Sequence, residues 1–281
     1  MRDELAWHAN GQVALGGELL ALQRRIDRQF LAWAQGRGAE EYQFPPFISA
    51  AELGRTDYLC SFPHLATFAA SLDEEEGNIE RFVGGERVNA AGEIQATRLG
   101  PLKDILTPAA CYHFYIHFQD TDLDAPLYLT TCATCFRREA SFRPLERQSS
   151  FLMRELVCIG GEAEVAAFLA DLRAEIDRFV AGIGLPVEWK HAADAFFQPT
   201  RSSKWLLQRL EPNKHELVFG GELAIASINS HRNYFGEKFG IKRDGKPAFS
   251  GCVAFGIERW MSTVLRRYGA APASWPAVWR G

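Results

Sequence analysis

The sequence predicts an α+β fold in which helices flank a mixed, mostly antiparallel sheet. Between residues 111 and 159, short apolar runs alternate with turns, which is typical of antiparallel strands. A long amphipathic segment follows at 162–181, so helices and strands do not alternate as they do in doubly wound α/β proteins. With 281 residues, 47% of them hydrophobic, the chain can form one large domain, or a core with a small appended domain.

The N-terminal part of the chain is predicted to begin with a helix. Apolar side chains, among them Leu22, Ile26 and Phe30, recur at helical spacing, so one long amphipathic helix is expected over residues 1–36. Two glycines separated by one arginine follow and end it. Residues 47–92 are expected to mix helices and strands around turns.

The middle of the chain has the clearest periodicity. Strands are predicted over residues 111–118, 127–136 and 151–159, and the segment 162–181 is predicted to be a helix that glycines terminate. Downstream, the pattern predicts strands at 187–190, 214–219, 222–228 and 249–255, a helix at 256–268, and a coil tail anchored by Trp275 and Trp279.

Composition excludes some classes of protein and disfavours others. No apolar run is long enough to span a bilayer, and we find no export signal, so a cytoplasmic protein with reduced cysteines is expected. The net charge of −4 and the pI of about 6.0 argue against extensive contact with tRNA. The six cysteines then serve packing, metal binding or catalysis.

Four arginines and a glutamate cluster on one predicted hairpin: Arg137, Arg138, Arg143, Arg147 and Glu139. A planar guanidinium donates hydrogen bonds in pairs and therefore suits phosphate and carboxylate groups. Such a hairpin can hold its donors around a polyanion such as ATP. On charge alone, an exposed hairpin laced with salt bridges is the simpler explanation.

Two motifs give the hairpin a more specific meaning. The segment Phe136-Arg137-Arg138-Glu139 resembles motif 2 of the class II aminoacyl-tRNA synthetases, and Arg147, Phe151 and Glu155 continue the pattern of the seryl branch. Far downstream, Gly256-Ile257-Glu258-Arg259 resembles motif 3, behind an apolar strand and at the start of a helix. The order and context of the motifs identify the chain as similar to a class II catalytic core.

Further segments extend the resemblance to about residues 95–268. Residues 214–217 and 222–229 are similar to the seryl-type region that supplies a metal-binding glutamate and a substrate-facing asparagine, although the spacing differs slightly. Residues 106–111 resemble the place where seryl enzymes carry a substrate-reading glutamate, which Cys111 replaces here.

The resemblance implies a division of the chain and an assembly. Residues 95–281 are expected to form the catalytic domain, and residues 1–94 a helical and mixed segment packed on it. Class II cores usually pair through motif 1, so a homodimer is expected.

By resemblance, three side chains form a zinc site. Cys111, Glu155 and Cys252 occupy the positions that bind zinc in the atypical archaeal seryl synthetases and in their relatives, the amino acid:carrier-protein ligases. A catalytic zinc keeps three protein ligands and one open position, and in these enzymes the open position holds the α-amino group of the substrate. Without the resemblance, a buried core thiol would be the more common role for either cysteine.

Other cysteines and histidines are predicted to be structural. Cys132 and Cys135 form a Cys-x-x-Cys pair, but no second pair completes a zinc knuckle, and residues three apart on a strand point to opposite faces. His113 and His117 lie on a predicted strand and are expected to pack, whereas His231 is expected to line the pocket.

By the same resemblance, Arg137 is expected to bind the α-phosphate and the substrate carboxyl oxygen, and Arg147 is expected to bind the γ-phosphate. Phe151 and Arg259 are expected to lie on the two faces of adenine, with Glu139 at its edge. Glu222 is expected to bind a phosphate-bridging Mg²⁺, and Asn229 is expected to contact the substrate. Attack of a carboxylate on the α-phosphate joins two anions, so positive charge and in-line positioning must carry the catalysis. No general base is needed, because the carboxylate is already ionised near neutral pH.

The expected function is ATP-dependent activation of glycine or alanine and transfer to the phosphopantetheine thiol of a small acidic carrier protein. True seryl synthetases carry a long tRNA-binding arm or domain before the core, and no heptads of such an arm are present here. A basic docking surface for the carrier is expected, with two candidate clusters: Arg24, Arg25 and Arg28, or Arg201, Lys204 and Arg209.

Two alternatives stay open at this point. The chain can be a small zinc-dependent seryl-type tRNA synthetase, which would require a basic tRNA surface. It can also be a non-catalytic synthetase paralogue, although such proteins usually lose the motif arginines, and Arg137 and Arg259 are both present.

Overall fold

The computed structural model describes residues 4–194, 197 and 213–280. In chain order its strands are β1 (Leu5–His8), β2 (Gln12–Leu15), β3 (Glu40–Glu41), β4 (Phe47–Ser49), β5 (Phe68–Ala69), β6 (Asp104–Leu106), β7 (Asp122–Leu123), β8 (Leu127–Phe136), β9 (Ser150–Gly160), β10 (Val187–His191), β11 (Lys214–Phe219), β12 (Leu223–Arg232), β13 (Lys242–Arg243), β14 (Lys246–Pro247) and β15 (Phe249–Gly256). Its α-helices are α1 (Gly17–Gln35), α2 (Ala50–Leu53), α3 (Tyr58–Ser61), α4 (Asn78–Gly84), α5 (Tyr112–His117), α6 (Glu162–Gly182), α7 (Tyr234–Phe239) and α8 (Ile257–Tyr268). Short 3₁₀ helices at Pro272–Ser274 and Ala277–Trp279 follow.

A seven-stranded sheet forms the centre of the described part of the chain, in the order β10-β11-β12-β15-β9-β8-β3. Neighbouring strands are antiparallel, except that β3 runs parallel to β8. Strands β8 and β9 are the two halves of the arginine-bearing hairpin. The prediction of an α+β fold with a mixed, mostly antiparallel sheet is confirmed.

The two faces of this sheet are covered differently. On one face, α1, α6 and α8 bury the larger core, in which Phe30 stacks on Phe255 with ring centroids 4.0 Å apart. Trp275 and Trp279 are fully buried in the same core, so they anchor the C-terminal tail as predicted. On the other face, α5 and α7 cover one part with a second apolar cluster. The remainder of that face is open as a cleft.

The predicted single helix over residues 1–36 is wrong in its first half. Strands β1 and β2 form a hairpin there, and α1 begins only at Gly17. The turn depends on Gly11, which has a φ of +80° and would collide with the Phe142 ring if it carried a side chain. A left-handed glycine inside an apolar pattern breaks the helix that the spacing alone suggests.

The predicted strand over residues 111–118 is also wrong, because residues 112–117 form helix α5. Phe114 and Tyr115 are fully buried between the sheet and α7. An apolar run of this length fits a buried strand and a buried helical turn equally well, so periodicity cannot separate them.

The helical conformation places His113 and His117 on one side of α5. His113 stacks on Phe44 with ring centroids 5.0 Å apart, and His117 meets the edge of Tyr42 at 5.3 Å. The Thr107 hydroxyl lies 2.8 Å from Nε2 of His113. Both imidazoles therefore pack against aromatic rings, in a structural role.

The other predicted elements are present, with shifts of at most a few residues at their ends. The largest shift is in β12, which spans Leu223–Arg232 rather than 222–228. Helix α6 includes Gly182, which the pattern placed beyond its end. None of the helices in the described ranges combines the length and apolar character that crossing a bilayer requires.

Candidate active site and metal centre

A cleft of about 910 Å³ lies on the face of the main sheet opposite α1. Strand alternation decides which side chains enter it. Glu155 of β9 projects into the cleft, whereas its neighbour Arg154 points the other way and pairs with Asp27 and Glu41, each at 2.8 Å. Arg154 is almost completely buried, so this ion cluster ties β9 to α1 and β3 behind the cleft.

The ten residues that the motifs and the resemblance single out all line this cleft: Cys111, Arg137, Glu139, Arg147, Phe151, Glu155, Glu222, Asn229, Cys252 and Arg259. They come from the residue before α5, the hairpin of β8 and β9 with its loop, the turn before β12, strands β12 and β15, and the first turn of α8. His231 lines the cleft as well.

Cys111, Glu155 and Cys252 form a buried group at the base of the cleft. The two sulfur atoms and a carboxylate oxygen lie within 4.8 Å of one another. Sheet register contributes to this, because Glu155 is paired with Ala254, and Cys252 lies two residues away on the same face of β15. Within the described ranges, this is the one cluster of three or more cysteine, histidine or acidic side chains with metal-ligand geometry.

The carboxylate of Glu155 is oriented by backbone groups. Its Oε1 accepts hydrogen bonds from the amides of Ala110 at 2.9 Å and Cys111 at 3.2 Å. Its Oε2 is buried, and no described group donates a hydrogen bond to it. A buried carboxylate oxygen without a donor is costly, and two thiolates with one carboxylate are ligands that zinc accepts. The residues present therefore fit a zinc ion with three protein ligands.

Without a metal, both thiols of this group remain protonated at neutral pH. The pKa of Cys111 lies well above its usual value because of the hydrogen bond with Cys252, burial and the charge of Glu155. For Cys252, the hydrogen bond with Cys111 lowers the pKa, but burial and the Glu155 charge outweigh it, and the pKa is raised. A bound zinc would displace these protons, so its affinity is expected to rise with pH.

Polar side chains of β12 surround the sulfur of Cys252. Register pairs Asn229 with Cys252, and the Asn229 amide donates to Sγ at 3.4 Å and to the Ser227 hydroxyl at 3.1 Å. Nε2 of His231 lies 3.7 Å from the same sulfur. Burial lowers the pKa of His231 to about 4, so this imidazole is neutral. The asparagine predicted to face the substrate thus also contacts a ligand-type thiol.

Two arginines are held in place on the walls of the cleft. Nε of Arg137 donates to the Pro108 carbonyl at 3.0 Å, and its guanidinium carbon lies 5.2 Å from the centroid of the Phe151 ring. Arg259 donates to two carbonyls, those of Glu146 and Ala224, each at 2.9 Å. Burial and the charge of Arg137 lower the pKa of Arg259. The guanidinium of Arg137 thus lies over the Phe151 ring, the ring predicted to stack on adenine.

The outer residues of the hairpin form ion pairs at the rim. Arg147 pairs with Glu139 at 3.3 Å, and Arg143 lies 3.7 Å from Glu222. The side chain of Glu222 is 68% exposed. Exposed ion pairs contribute little to stability, so these charges are available to a ligand that enters the cleft.

A second carboxylate lies deeper than Glu222. Glu216 of β11 is 29% exposed and pairs with Lys214 at 3.2 Å, and Lys214 also pairs with Asp194 at 2.8 Å. Burial lowers the pKa of Lys214, but the two carboxylates outweigh it, and the pKa is raised. Alternation along β11 places Lys214 and Glu216 on the cleft face.

One wall of the cleft comes from a part of the chain that no motif covers. Residues in the range 56–65 line it, including Tyr58, whose hydroxyl is buried and has no hydrogen-bond partner among the described residues. Their residue types are ordinary core and turn residues, so no pattern in the sequence signals their place at a site.

Glu258, in the motif 3 segment, is a further residue of the cleft, one to which the sequence analysis gave no role. Its two carboxylate oxygens accept from the Leu152 amide at 3.1 and 2.9 Å. Burial raises its pKa to about 7. The contact joins the first turn of α8 to β9 next to Phe151. Glu258 follows the apolar strand in the motif-3 segment, which was a usable signal for its location.

Known proteins that resemble this chain match it over the segment that forms the cleft. The tRNA synthetase class II core domain (G, H, P, S and T) matches residues 102–268. Amino acid–[acyl-carrier-protein] ligase 1 of Bradyrhizobium diazoefficiens is 36% identical over 248 residues, covering 85% of this chain and 75% of that protein. Ligase 2 of the same organism is 32% identical over 284 residues, covering 98% and 84%. The chain belongs to this ligase family, within the class II synthetases.

More distant relatives agree with this family and with the fold. The type-2 serine–tRNA ligase of Methanopyrus kandleri is 27% identical over 266 residues, which cover 85% of this chain and 50% of that protein. The solved structure of M. kandleri SerRS in complex with A. aeolicus tRNASec superposes with a TM-score of 0.81 at 22% identity, covering 99% of this chain and 57% of that one. The predicted class II synthetase-like core and the predicted family are confirmed.

Proposed function

We propose that this chain activates a small amino acid, glycine or alanine, and loads it onto a carrier protein. The amino-acid carboxylate attacks the α-phosphate of ATP, and pyrophosphate leaves. The phosphopantetheine thiol then attacks the carbonyl of the aminoacyl-adenylate, and AMP leaves. The observation that carries the proposal is the buried group of Cys111, Glu155 and Cys252 at the base of an arginine-lined cleft. The names of the two Bradyrhizobium relatives support the choice of acceptor.

Cys111, Glu155 and Cys252 would hold the zinc ion. When bound, zinc supplies a Lewis-acid position that binds an unprotonated α-amino group. The chain's own contribution is the buried, pre-oriented carboxylate, since the backbone amides of Ala110 and Cys111 fix Glu155 before any metal arrives.

The arginines of the cleft would bind and polarise ATP. Arg137 is proposed to bind the α-phosphate and the substrate carboxyl oxygen, and Arg147 at the rim is proposed to bind the γ-phosphate. Arg259, fixed by two carbonyls, supplies a positive charge that needs no reorganisation when charge develops on the phosphate. Phe151 offers a ring face on which adenine can stack. Glu139 is proposed to contact the polar edge of adenine.

A magnesium site is proposed at the outer part of the cleft, where the ion would neutralise negative charge on the phosphates of ATP. Glu222 at the rim is the proposed carboxylate ligand, and Glu216 is the next carboxylate inward. Mg²⁺ usually keeps several waters and takes one or two protein carboxylates together with substrate phosphates. Asn229 is proposed to contact the amino acid from β12.

The acceptor is proposed to be a small acidic carrier protein that bears phosphopantetheine. Of the first basic cluster, Arg24 and Arg28 are exposed on α1, whereas Arg25 is partly buried between Glu18 and the Trp279 carbonyl. The second cluster, at 201–209, lies outside the described residues.

The cytoplasmic location and the division of the chain at residue 94 remain predictions.

The homodimer is proposed on the distribution of exposed apolar side chains. A large share of them falls between β4 and β6: Phe47, Phe68, Ile79, Val83, Val88, Ile94, Leu99 and Leu102. Phe47 and Phe68 lie on the outer strands of the small sheet β4-β6-β5. A concentration of exposed apolar residues favours a protein interface, and a second copy of the chain is the proposed occupant.

The test supplies ATP, Mg²⁺ and a pool of labelled glycine, alanine and serine to the purified protein. Bulk tRNA and a phosphopantetheinylated carrier protein compete as acceptors in the same tube, and Arg137→Ala is the matched control. Label on the carrier supports the proposal and names the substrate. Label on tRNA would make the protein a small synthetase, and the absence of adenylate formation would favour a non-catalytic paralogue.

A further inference from the structure

We infer that His231, oriented by Tyr115 and Ser250, is a positioning residue that donates a hydrogen bond from Nε2 to the Cys252 thiolate of the loaded metal centre. The inference rests on the zinc site of the proposed function. It assigns a role to a side chain outside the ligand set and outside the adenylation motifs.

The two ring nitrogens of His231 have chemically different partners. Nδ1 lies 3.1 Å from the Tyr115 hydroxyl and 3.2 Å from the Ser250 hydroxyl. Nε2 lies 3.7 Å from Sγ of Cys252. Tyr115 and Ser250 are almost completely buried, and the Phe235 ring stacks on Tyr115 with centroids 3.9 Å apart. The hydroxyl groups therefore have fixed positions, and they fix the orientation of the imidazole.

Metal binding selects one tautomer of this ring. A neutral imidazole carries one N–H and one acceptor nitrogen. A cysteine that binds zinc has lost its proton, so its sulfur can only accept a hydrogen bond. The contact between Nε2 and Sγ is then favourable only when Nε2 carries the proton. Nδ1 is left as the acceptor, and it faces two hydroxyl groups that can donate to it.

The Cys252 sulfur thereby receives two side-chain donors, one from Asn229 at 3.4 Å and one from His231 at 3.7 Å. Hydrogen bonds to a metal-bound thiolate hold the ligand in place and withdraw charge from sulfur. Loss of such an outer contact typically weakens metal binding by about 10- to 100-fold. We expect an effect of this size for His231.

Two variants of His231 form a matched pair. The amide nitrogen of glutamine can occupy the position of Nε2, whereas asparagine is one methylene shorter and its amide reaches only the position of Nδ1. His231→Gln is therefore expected to keep near-wild-type zinc affinity, and His231→Asn is expected to bind zinc about 10- to 100-fold more weakly. Tyr115→Phe removes one hydroxyl from Nδ1 and is expected to give a smaller loss.

The experiment uses the full chain and needs no turnover. Zinc content and affinity are measured by competition with a chromophoric chelator, and the tautomer of His231 is measured by ¹⁵N NMR with and without zinc. An Nε2–H tautomer in the zinc-bound protein, with weakened binding in His231→Asn but not in His231→Gln, supports the inference. An Nδ1–H tautomer in the zinc-bound wild type, or equal affinities for both variants, would overturn it. A wild-type chain that binds no zinc would instead overturn the metal centre itself.

Discussion

Replacing Glu155 by glutamine separates the metal-binding role of this side chain from its structural role. Glutamine has the same shape, and its amide oxygen can accept the two backbone hydrogen bonds from Ala110 and Cys111 that Oε1 accepts now. The NH₂ group then replaces Oε2, the oxygen that has no donor in the described structure. If the amide turned its oxygen toward the metal instead, its NH₂ would face two N–H donors. Glutamine can therefore satisfy the backbone or the zinc, but not both.

The expected loss of zinc affinity can be worked out from the number of ligands. Zinc sites with four protein ligands bind with apparent free energies of about 10–16 kcal/mol, which is roughly 2.5–4 kcal/mol per ligand. Each 1.4 kcal/mol is tenfold, so Glu155→Gln is expected to weaken zinc binding roughly 60- to 700-fold. In the metal-free protein, the two hydrogen bonds from the backbone amides are no longer charge-assisted, which lowers the free energy of unfolding by about 1 kcal/mol for each bond. The buried oxygen that lacks a donor, at a cost of about 1–3 kcal/mol, is exchanged for an NH₂ group near the sulfur atoms of Cys111 and Cys252, which are weak acceptors. The net change in stability is therefore expected to be small.

The assay combines chelator competition for zinc with urea unfolding of the metal-free protein. We expect a large loss of zinc affinity and a small change in the free energy of unfolding. A zinc affinity equal to that of the wild type would refute the assignment of Glu155 as a ligand. A metal-free variant that no longer unfolds cooperatively would instead refute the claim that glutamine satisfies the backbone amides.

Three further predictions follow from the site. Cys111→Ser should lose zinc and amino-acid activation together, because one of three ligands is removed. Arg137→Ala should lower adenylate formation by about 10²–10³-fold while leaving the fold intact, because a preorganised charge at the α-phosphate is lost. Burial raises the pKa of Glu258 from 4.5 to about 7, so between these pH values the folded chain holds a proton that the unfolded chain has released. The free energy of unfolding should therefore fall by about 3 kcal/mol across that range relative to Glu258→Gln, and level off above it.

Matched controls are available for each of these. The control for Cys111→Ser is Cys135→Ser, which changes a buried thiol outside the metal group. Retained activation in a zinc-free Cys111→Ser protein would contradict the zinc mechanism. The control for Arg137→Ala is Arg138→Ala, which changes the neighbouring arginine, a residue not among those that line the cleft. An unchanged rate of adenylate formation in Arg137→Ala would contradict the motif 2 assignment. Parallel pH profiles of unfolding for wild type and Glu258→Gln would show that this carboxyl does not titrate in the range given.

Much of the fold and the site could be predicted because the signals are local. Strands β8 and β9 and helix α6 follow from periodicity that each segment carries in itself. The motif residues Arg137, Glu155 and Arg259 could be named because their spacing resembles that of a known family.

Two local predictions were wrong, and contacts with other parts of the chain contribute to both outcomes. The hairpin β1–β2 depends on Gly11 and its close approach to Phe142, a residue far along the chain. Helix α5 depends on the sheet and α7, which bury it. In both cases tertiary contacts selected one of two conformations that the local sequence allows.

The sequence by itself determined the alternating pattern of the strands, the cysteines and acidic residues that can bind a metal, and the arginine-rich hairpin. Only the tertiary structure decided which of these side chains meet. Cys111, Glu155 and Cys252 converge because the order β15-β9-β8 places two of them on neighbouring strands, while α5 brings the third over the same face. The wall at residues 56–65 and the contact of His231 with Cys252 have no sequence signal. The physical reason is that proximity between distant segments is set by strand order and register, which are properties of the packed sheet as a whole.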